Sequence, residues 1–288
     1  MTANPVMASP SFKVRTRSFD LSASPLLVGI LNVTPDSFSD GGQFVNPRAA
    51  LIQAERLLQE GADILDIGAE STRPDSTPVS CEEELRRLFP VMTSLRKEFP
   101  KAILSIDTSK YSVMERMLDL GAHMINDVCA MRTDSRIPKL LKQYQASVCL
   151  MHMRGTPQTM QQNTQYDDMI EDIRHFLKAS VQVAVDAGIS KDAIIVDPGV
   201  GFGKSKEGNL TIINQLNLLI SAVSFPHMIG ISRKRFVQTL AQQTETSIEM
   251  VMAQLHMAAL TKGAKLLRVH DIALTKKTLN LYEALVSK

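Results

Sequence analysis

The sequence predicts an α/β fold, a (β/α)8 TIM barrel with a short N-terminal hairpin extension. Three observations carry that reading. Eight short apolar, β-branched runs recur along the 288 residues. Most are near-continuous hydrophobic runs rather than alternating ones, as in strands buried on both faces. Helical segments lie between many of them, and the step from helix through Gly-Ala to strand occurs three times, at Gly61-Ala62, Gly121-Ala122 and Gly263-Ala264.

The first two dozen residues fall outside this rhythm. There, residues 12–17 alternate weakly and predict a short hairpin capping the barrel bottom. The first barrel strand covers 26–33. A helix over 48–60 then places Ala49, Ile52 and Leu57 on one face and stops at Gly61, a good C-cap residue. Strands over 64–68, 103–107 and 124–128 come next, with one helix beginning at Cys81 and another over 112–120 ending at Gly121. A strand over 148–151 precedes a long amphipathic helix over 167–186 that ends before Gly188. The strand over 194–197, a helix over 210–222 and the strand over 228–231 continue the pattern. After Arg235 come helices including 248–261, the last strand over 266–269 and a helix over 276–286. An open doubly wound sheet is the runner-up, but no Gly-rich fingerprint follows the first strand. No boundary interrupts the series, so residues 1–288 read as one domain.

Composition narrows the function classes. With 44% hydrophobic and 22% charged residues the chain is globular, and a net charge of +2 is too small for general nucleic-acid affinity. Cys81, Cys129 and Cys149 are sparse and form no CxxC pair, which fits a reducing compartment. No run reaches the roughly 18 apolar residues of a membrane span. The first residues lack the charged and apolar regions of a signal peptide. The cytoplasm is the expected location.

In a barrel of this kind the chemistry collects at the C-terminal strand ends and the following loops. That rule selects Asn32, the segment 70–73, Asp107, Asn126 with Asp127, His152 with Arg154, Asp197, the segment 232–235, and the segment 268–270. Every strand delivers a polar or ionisable group to one mouth. Buried charge costs several kcal/mol unless paired, so a purely structural barrel would not need so many. Asp107, Asn126 and Asp197 suit a heterocycle whose edge presents an amino group beside a ring N–H. Lys234 suits a ring carbonyl or nitrogen. Arg73, Arg268 and His270, with Asn32 and Thr72 nearby, form a cationic, donor-rich set suited to phosphate or pyrophosphate. The loops over 32–42 and 70–78 have the Pro, Ser, Asp and Gly content of mobile connections, and Phe38 is the one large apolar residue available to cover a ligand from the first.

Plainer roles compete with these. Asp107 and Asp197 could each cap a helix, and Asn32 could cap a turn. Gly199, Gly201 and Gly203 lack the Walker spacing and favour a tight loop shaping the pocket. His152 and Arg154 could each hold a neighbour in place. The six histidines show no metal-site spacing.

Eight segments in order resemble the dihydropteroate synthase family. They are GILNVTPDSFSDGG (29–42), GADILDIGAESTRP (61–74), IDTSK (106–110), INDV (125–128), MHMRGTP (151–157), DPGVGFGK (197–204), SRKRF (232–236) and RVHD (268–271). The resemblance implies condensation of a hydroxymethyl-dihydropterin pyrophosphate with p-aminobenzoate. It implies that Asp107, Asn126, Asp197 and Lys234 hold the pterin, and that Asn32, Arg73, Arg268 and His270 hold the pyrophosphate, with Mg²⁺ on Asn32. Phe38, Thr72, Pro74, Phe202, Lys234 and Ser232 would surround p-aminobenzoate. Asp107, Asp197, Lys234, Arg268 and Arg73 would carry the chemistry. The resemblance also implies a homodimer built through barrel helices. Arg235 departs from the small hydroxyl residue that many members carry there. It leaves open whether Arg235 or backbone N–H groups of the next helix meet the p-aminobenzoate carboxylate. A pterin-dependent methyltransferase and a non-catalytic pterin-binding protein are the competing readings. The first has no pyrophosphate to hold, and the second would be expected to lose anion-binding groups.

Overall fold

The computed structural model describes residues 11–15, 17–34, 47–71 and 77–286. Strands β1 (Ser11–Val14) and β2 (Arg17–Asp20) form an antiparallel hairpin. Eight parallel strands follow. They are β3 (Leu26–Asn32), β4 (Ile64–Gly68), β5 (Ile103–Asp107), β6 (Met124–Asp127), β7 (Ser147–Met151), β8 (Ile194–Asp197), β9 (Met228–Ile229) and β10 (Leu266–Val269). Their hydrogen-bonded order is β8-β7-β6-β5-β4-β3-β10-β9. An isolated parallel bridge between Val196 and His227 joins the two ends into a ring. This is the predicted barrel, with β9 two residues shorter than its apolar run.

Most helices also lie where the pattern placed them. They are α1 (Pro47–Gln59), α2 (Cys81–Glu98), α3 (Tyr111–Asp119), α4 (Ile137–Tyr144), α5 (Met169–Asp186), α6 (Lys206–Asn214), α7 (Leu216–Ala222), α8 (Arg235–Gln243), α9 (Ile248–Thr261) and α10 (Ile272–Val286). Three differences are informative. The buried line of α1 is Ala50, Ala54 and Leu57, a spacing of four then three, while Ile52 points outward at 61% exposure. The helix expected over 210–222 is two helices separated at Gln215, and the first begins earlier because Ser205 Oγ accepts from Gly208 N at 3.0 Å. The last helix likewise begins at Ile272, where Asp271 Oδ1 accepts from Leu274 N at 2.8 Å.

Side-chain alternation divides each barrel strand between two cores. Leu27, Leu31, Leu65, Ile67, Leu104 and Ile106 face the helices. Val28, Ile64, Ile103, Met124, Ile195 and Leu266 point inward near the strand starts, where they meet Phe12, Val14 and Leu21. The predicted hairpin therefore plugs the barrel bottom. Ser147 Oγ ties it down by donating to the Lys13 carbonyl at 2.8 Å. Above this apolar floor the inward positions become Asp66, Ser105, Asp107, Asn126, Asp197 and Arg268. That change from apolar to polar and charged, within one barrel, is what makes the upper end a site.

Candidate active site

Register brings the acceptors together. Asp107 pairs with Asn126 across β5 and β6, and Gly68 lies opposite Asp107 on β4. Arg268 on β10 reaches across the interior: Nη2 donates to Asp107 Oδ2 at 2.6 Å and Nε to Asp66 Oδ2 at 2.6 Å. Asn126 Nδ2 donates to the same Asp66 oxygen at 2.9 Å, and Ser105 Oγ meets Asp66 Oδ1 at 2.6 Å. Arg268 thus pairs with both Asp66 and Asp107 across the barrel interior. Burial pushes the Asp107 carboxyl up to about 7, against the attraction of Arg268 and with the help of Asp66. Burial opposes the charge on Arg268, but Asp66 and Asp107 outweigh it and hold its pKa above the usual value.

Asp197 ends β8 and turns the loop after it. Its Oδ1 accepts from Gly199 N at 2.6 Å, so it caps a turn as well as facing the interior. Burial raises its pKa, offset chiefly by Lys234. The loop needs its glycines. Gly199 has φ +71°, and a Cβ there would lie 1.9 Å from the His152 carbonyl oxygen. At Gly201 a Cβ would lie 2.6 Å from Lys234 Cδ. The loop is thereby pressed onto Lys234, whose Nζ donates to the Val200 carbonyl and stands 4.4 Å from the centre of the Phe202 ring. Burial lowers Lys234 to about 8.

The supporting residues follow. Lys204 is 3% exposed and donates to the Phe202 carbonyl at 2.8 Å, with His152 Nδ1 3.0 Å away. Burial lowers Lys204 to about 7, and burial with the Lys204 charge brings His152 down to about 2. His152 is therefore a neutral acceptor that anchors the β8 loop. Arg154 is turned away to Asp172 of α5 and the Gln165 carbonyl. Both residues hold neighbours in place. Asp127, adjacent to Asn126, faces the opposite side of β6, where its carboxylate accepts from Cys129 N at 2.9 Å and Met131 N at 2.6 Å. At the other rim, His270 Nδ1 and Ser232 Oγ are 3.0 Å apart. Glu70 Oε1 accepts from Val79 N at 3.0 Å and Lys110 pairs with both Glu70 and Glu84, joining the described ends of the loop after β4.

Asn32, Asp107, Asn126, Asp197, Phe202, Ser232, Lys234, Arg268 and His270 all lie on the strands and loops of this end. Phe38, Thr72, Arg73 and Pro74 lie outside the described residues. Asp66 and Lys204 were missed. Asp66 carried a signal, because it is an acid at an inward position inside a five-residue buried strand. Lys204 carried none beyond its place in the glycine loop.

A barrel with a polar, mixed-charge mouth of this composition defines a small-molecule enzyme of the pterin-binding class, and the pattern of the pterin binding enzyme family matches residues 28–270. Within that class the chain belongs to the dihydropteroate synthase family, transferases of folate biosynthesis. The dihydropteroate synthase of Haemophilus influenzae is 40% identical over 268 residues, covering 93% of this chain and 96% of that protein. The Yersinia pestis enzyme, solved with a sulfonamide drug, superposes with a TM-score of 0.87 at 38% identity over 96% of this chain and all of its own. The Xanthomonas albilineans enzyme, solved with 4-aminobenzoic acid, gives 0.87 at 39% identity over 97% of this chain and 99% of its own.

Proposed function

We propose that the chain condenses 6-hydroxymethyl-7,8-dihydropterin pyrophosphate with p-aminobenzoate, giving 7,8-dihydropteroate and pyrophosphate. The observation that carries this reading is the meeting of Asp107, Asn126, Asp197 and Lys234 above an apolar barrel floor. A pterin presents an amino group beside a ring N–H, and two carboxylates with an amide carbonyl are the acceptors that edge requires. Lys234 supplies the one donor needed on the opposite edge. Arg268, His270 and Arg73 are the cations available to the pyrophosphate.

The scissile C–O bond breaks with its electron pair passing to the pyrophosphate. The pterin methylene is left as a carbocation, which the lone pair of the aniline nitrogen attacks, and the nitrogen then loses a proton. Cations at the mouth stabilise the charge developing on the leaving group, and the buried carboxylates stabilise the electron-poor ring. A weak amine nucleophile gains more from a stabilised cation than from a strong base. No covalent enzyme intermediate is needed.

Mg²⁺ fits as an ion that arrives with the substrate. Asn32 offers one neutral oxygen donor, and among the described residues no group of three or more His, Cys, Asp or Glu is placed to hold a metal. Mg²⁺ commonly takes one or two protein ligands with phosphate oxygens and water, and it would neutralise charge on the pyrophosphate. Phe202, Ser232 and Lys234, with Phe38, Thr72 and Pro74, would enclose p-aminobenzoate. Its carboxylate would meet the first N–H groups of α8, whose N-cap Lys234 makes no side-chain cap bond.

We also read the chain as one pterin-binding barrel domain acting as a cytoplasmic homodimer. Ile248 and Met250 on α9 and Leu281 and Leu285 on α10 are exposed apolar side chains that a second copy could cover. No helix of the described residues is long and apolar enough to cross a membrane.

Titration calorimetry with 6-hydroxymethylpterin tests the pocket. One site per chain, abolished by Asn126→Leu, supports it. Unchanged binding in that variant overturns it.

A further inference from the structure

Asp66 is fully buried in the middle of β4, and no substrate contact has been assigned to it. It lies opposite Ser105 and Ile30, one inward layer below the level where Gly68 meets Asp107. Three side chains from three other strands converge on its carboxylate: Ser105 from β5, Asn126 from β6 and Arg268 from β10. Two of the three belong to the set that faces the substrate. Arg268 holds Asp66 through Nε and Asp107 through Nη2, so one guanidinium is shared by two carboxylates.

We propose that Asp66 is a positioning residue, a fixed anion beneath the pterin pocket that keeps Arg268 and Asn126 in place while Asp107 exchanges Arg268 for the substrate. This rests on the pterin reading of the site. A donor edge that engages both oxygens of Asp107 must compete with Arg268 Nη2 at Oδ2. The guanidinium, anchored through Nε, keeps a counter-charge and does not follow or flood the pocket. Asn126 is oriented by the same oxygen. Because a carboxylate accepts, the amide must turn Nδ2 towards Asp66, and its carbonyl is left as the acceptor for the ligand. The role differs from packing, because an isosteric neutral residue fills the same volume without the charge that anchors Arg268.

The test compares wild type with Asp66→Asn, using 6-hydroxymethylpterin as the calorimetric probe across pH and steady-state kinetics with both substrates. The asparagine can keep its carbonyl towards Arg268 Nε and Asn126 Nδ2 with its N–H turned to Ser105 Oγ, but it removes the negative charge that anchors the guanidinium. We expect pterin affinity about tenfold weaker, with the KM for p-aminobenzoate at saturating pterin within about twofold of wild type. The acid limb of pterin binding should also move to lower pH. The charges that act on Asp107 are Arg268 of β10, Asp66 of β4, Glu84 of α2, Asp127 of β6 and Lys234 after β9. Removing the Asp66 charge removes one of the neighbours that favour its protonated form and leaves Arg268 to Asp107 alone.

Unchanged pterin affinity and an unmoved acid limb would overturn the proposal, as would an equal loss for both substrates. If Asp66→Asn does not fold, Ser105→Ala removes only the donor on Oδ1. It should weaken pterin about threefold and spare p-aminobenzoate, and no change at any pH would count against the role. Failure of wild type itself to bind the pterin would instead sink the pterin reading, leaving the two failures distinct.

Discussion

The Lys234 ammonium stands 4.4 Å from the centre of the Phe202 ring while it donates to the Val200 carbonyl, so one side chain joins the loop after β9 to the loop after β8. It occupies the border between the pterin acceptors and the surface offered to p-aminobenzoate. Lys234→Ala should therefore raise KM for both substrates, by about tenfold each. Phe202→Leu should raise mainly the KM for p-aminobenzoate, by a few-fold, since a cation–π contact contributes about 0.5–2 kcal/mol. Steady-state kinetics with each substrate varied in turn checks both. Intact KM values in Lys234→Ala would remove it from the pocket.

The two ionisations bracket a narrow optimum. Asp107 must be charged to accept from the pterin, and burial has raised it to about 7, so activity is lost as pH falls through that value. Lys234 donates most strongly as the charged ammonium, and burial has lowered it to about 8, so activity falls as pH rises beyond it. The profile of kcat/KM for the pterin substrate should be a bell with its maximum between these limits. Lys234→Arg should move the alkaline limb upward and leave the acid limb in place.

Arg268 supports the fold as well as the chemistry. Arg268→Leu leaves Asp66 and Asp107 facing each other without their shared cation. Removing one partner of a buried ion pair costs about 3–5 kcal/mol, and chemical denaturation should show a loss of that size at pH 8. The loss should shrink towards pH 5, where Asp107 takes up a proton.

His256, in α9, is buried with Nε2 unpartnered, and burial lowers it from the usual 6.5 to about 4. Its folded pKa lies below its unfolded one. As pH falls from 6.5 to 4 the unfolded chain therefore takes up a proton that the folded chain refuses, and stability drops through that window. His256→Leu should be more stable than wild type at pH 5, by about 1 kcal/mol or more, with a flatter acid limb in thermal denaturation.

Gly199→Ala should be among the most damaging small substitutions in the chain. It requires both φ +71° and a Cβ 1.9 Å from a backbone oxygen, and neither neighbour can yield without moving Asp197 or His152. Expression at low temperature with folding followed by circular dichroism checks it against Gly61→Ala, which has φ +105° but open space around it.

The barrel was legible because parallel strands buried on both faces spell themselves as apolar runs, and β4 and β5 have the bounds those runs predict. The mouth was legible because polar groups at strand ends have few other reasons to be there. Less was readable where geometry, not composition, decides. Ile52 looked like core by class but lies on the outer side of α1. The ion pairs of Arg268 with Asp66 and Asp107 were not readable either, because they join residues 202 and 161 positions apart that no local pattern connects. Asp66 itself was hidden inside an apolar run, and only the inward parity of β4 betrays it.

The most direct measurement is a coupled assay on the purified chain with 6-hydroxymethyl-7,8-dihydropterin pyrophosphate, p-aminobenzoate and Mg²⁺, following pyrophosphate and dihydropteroate together. The account predicts equal amounts of both products, with neither formed when the metal is removed. Pterin binding without turnover, or pyrophosphate released with no dihydropteroate, would contradict it.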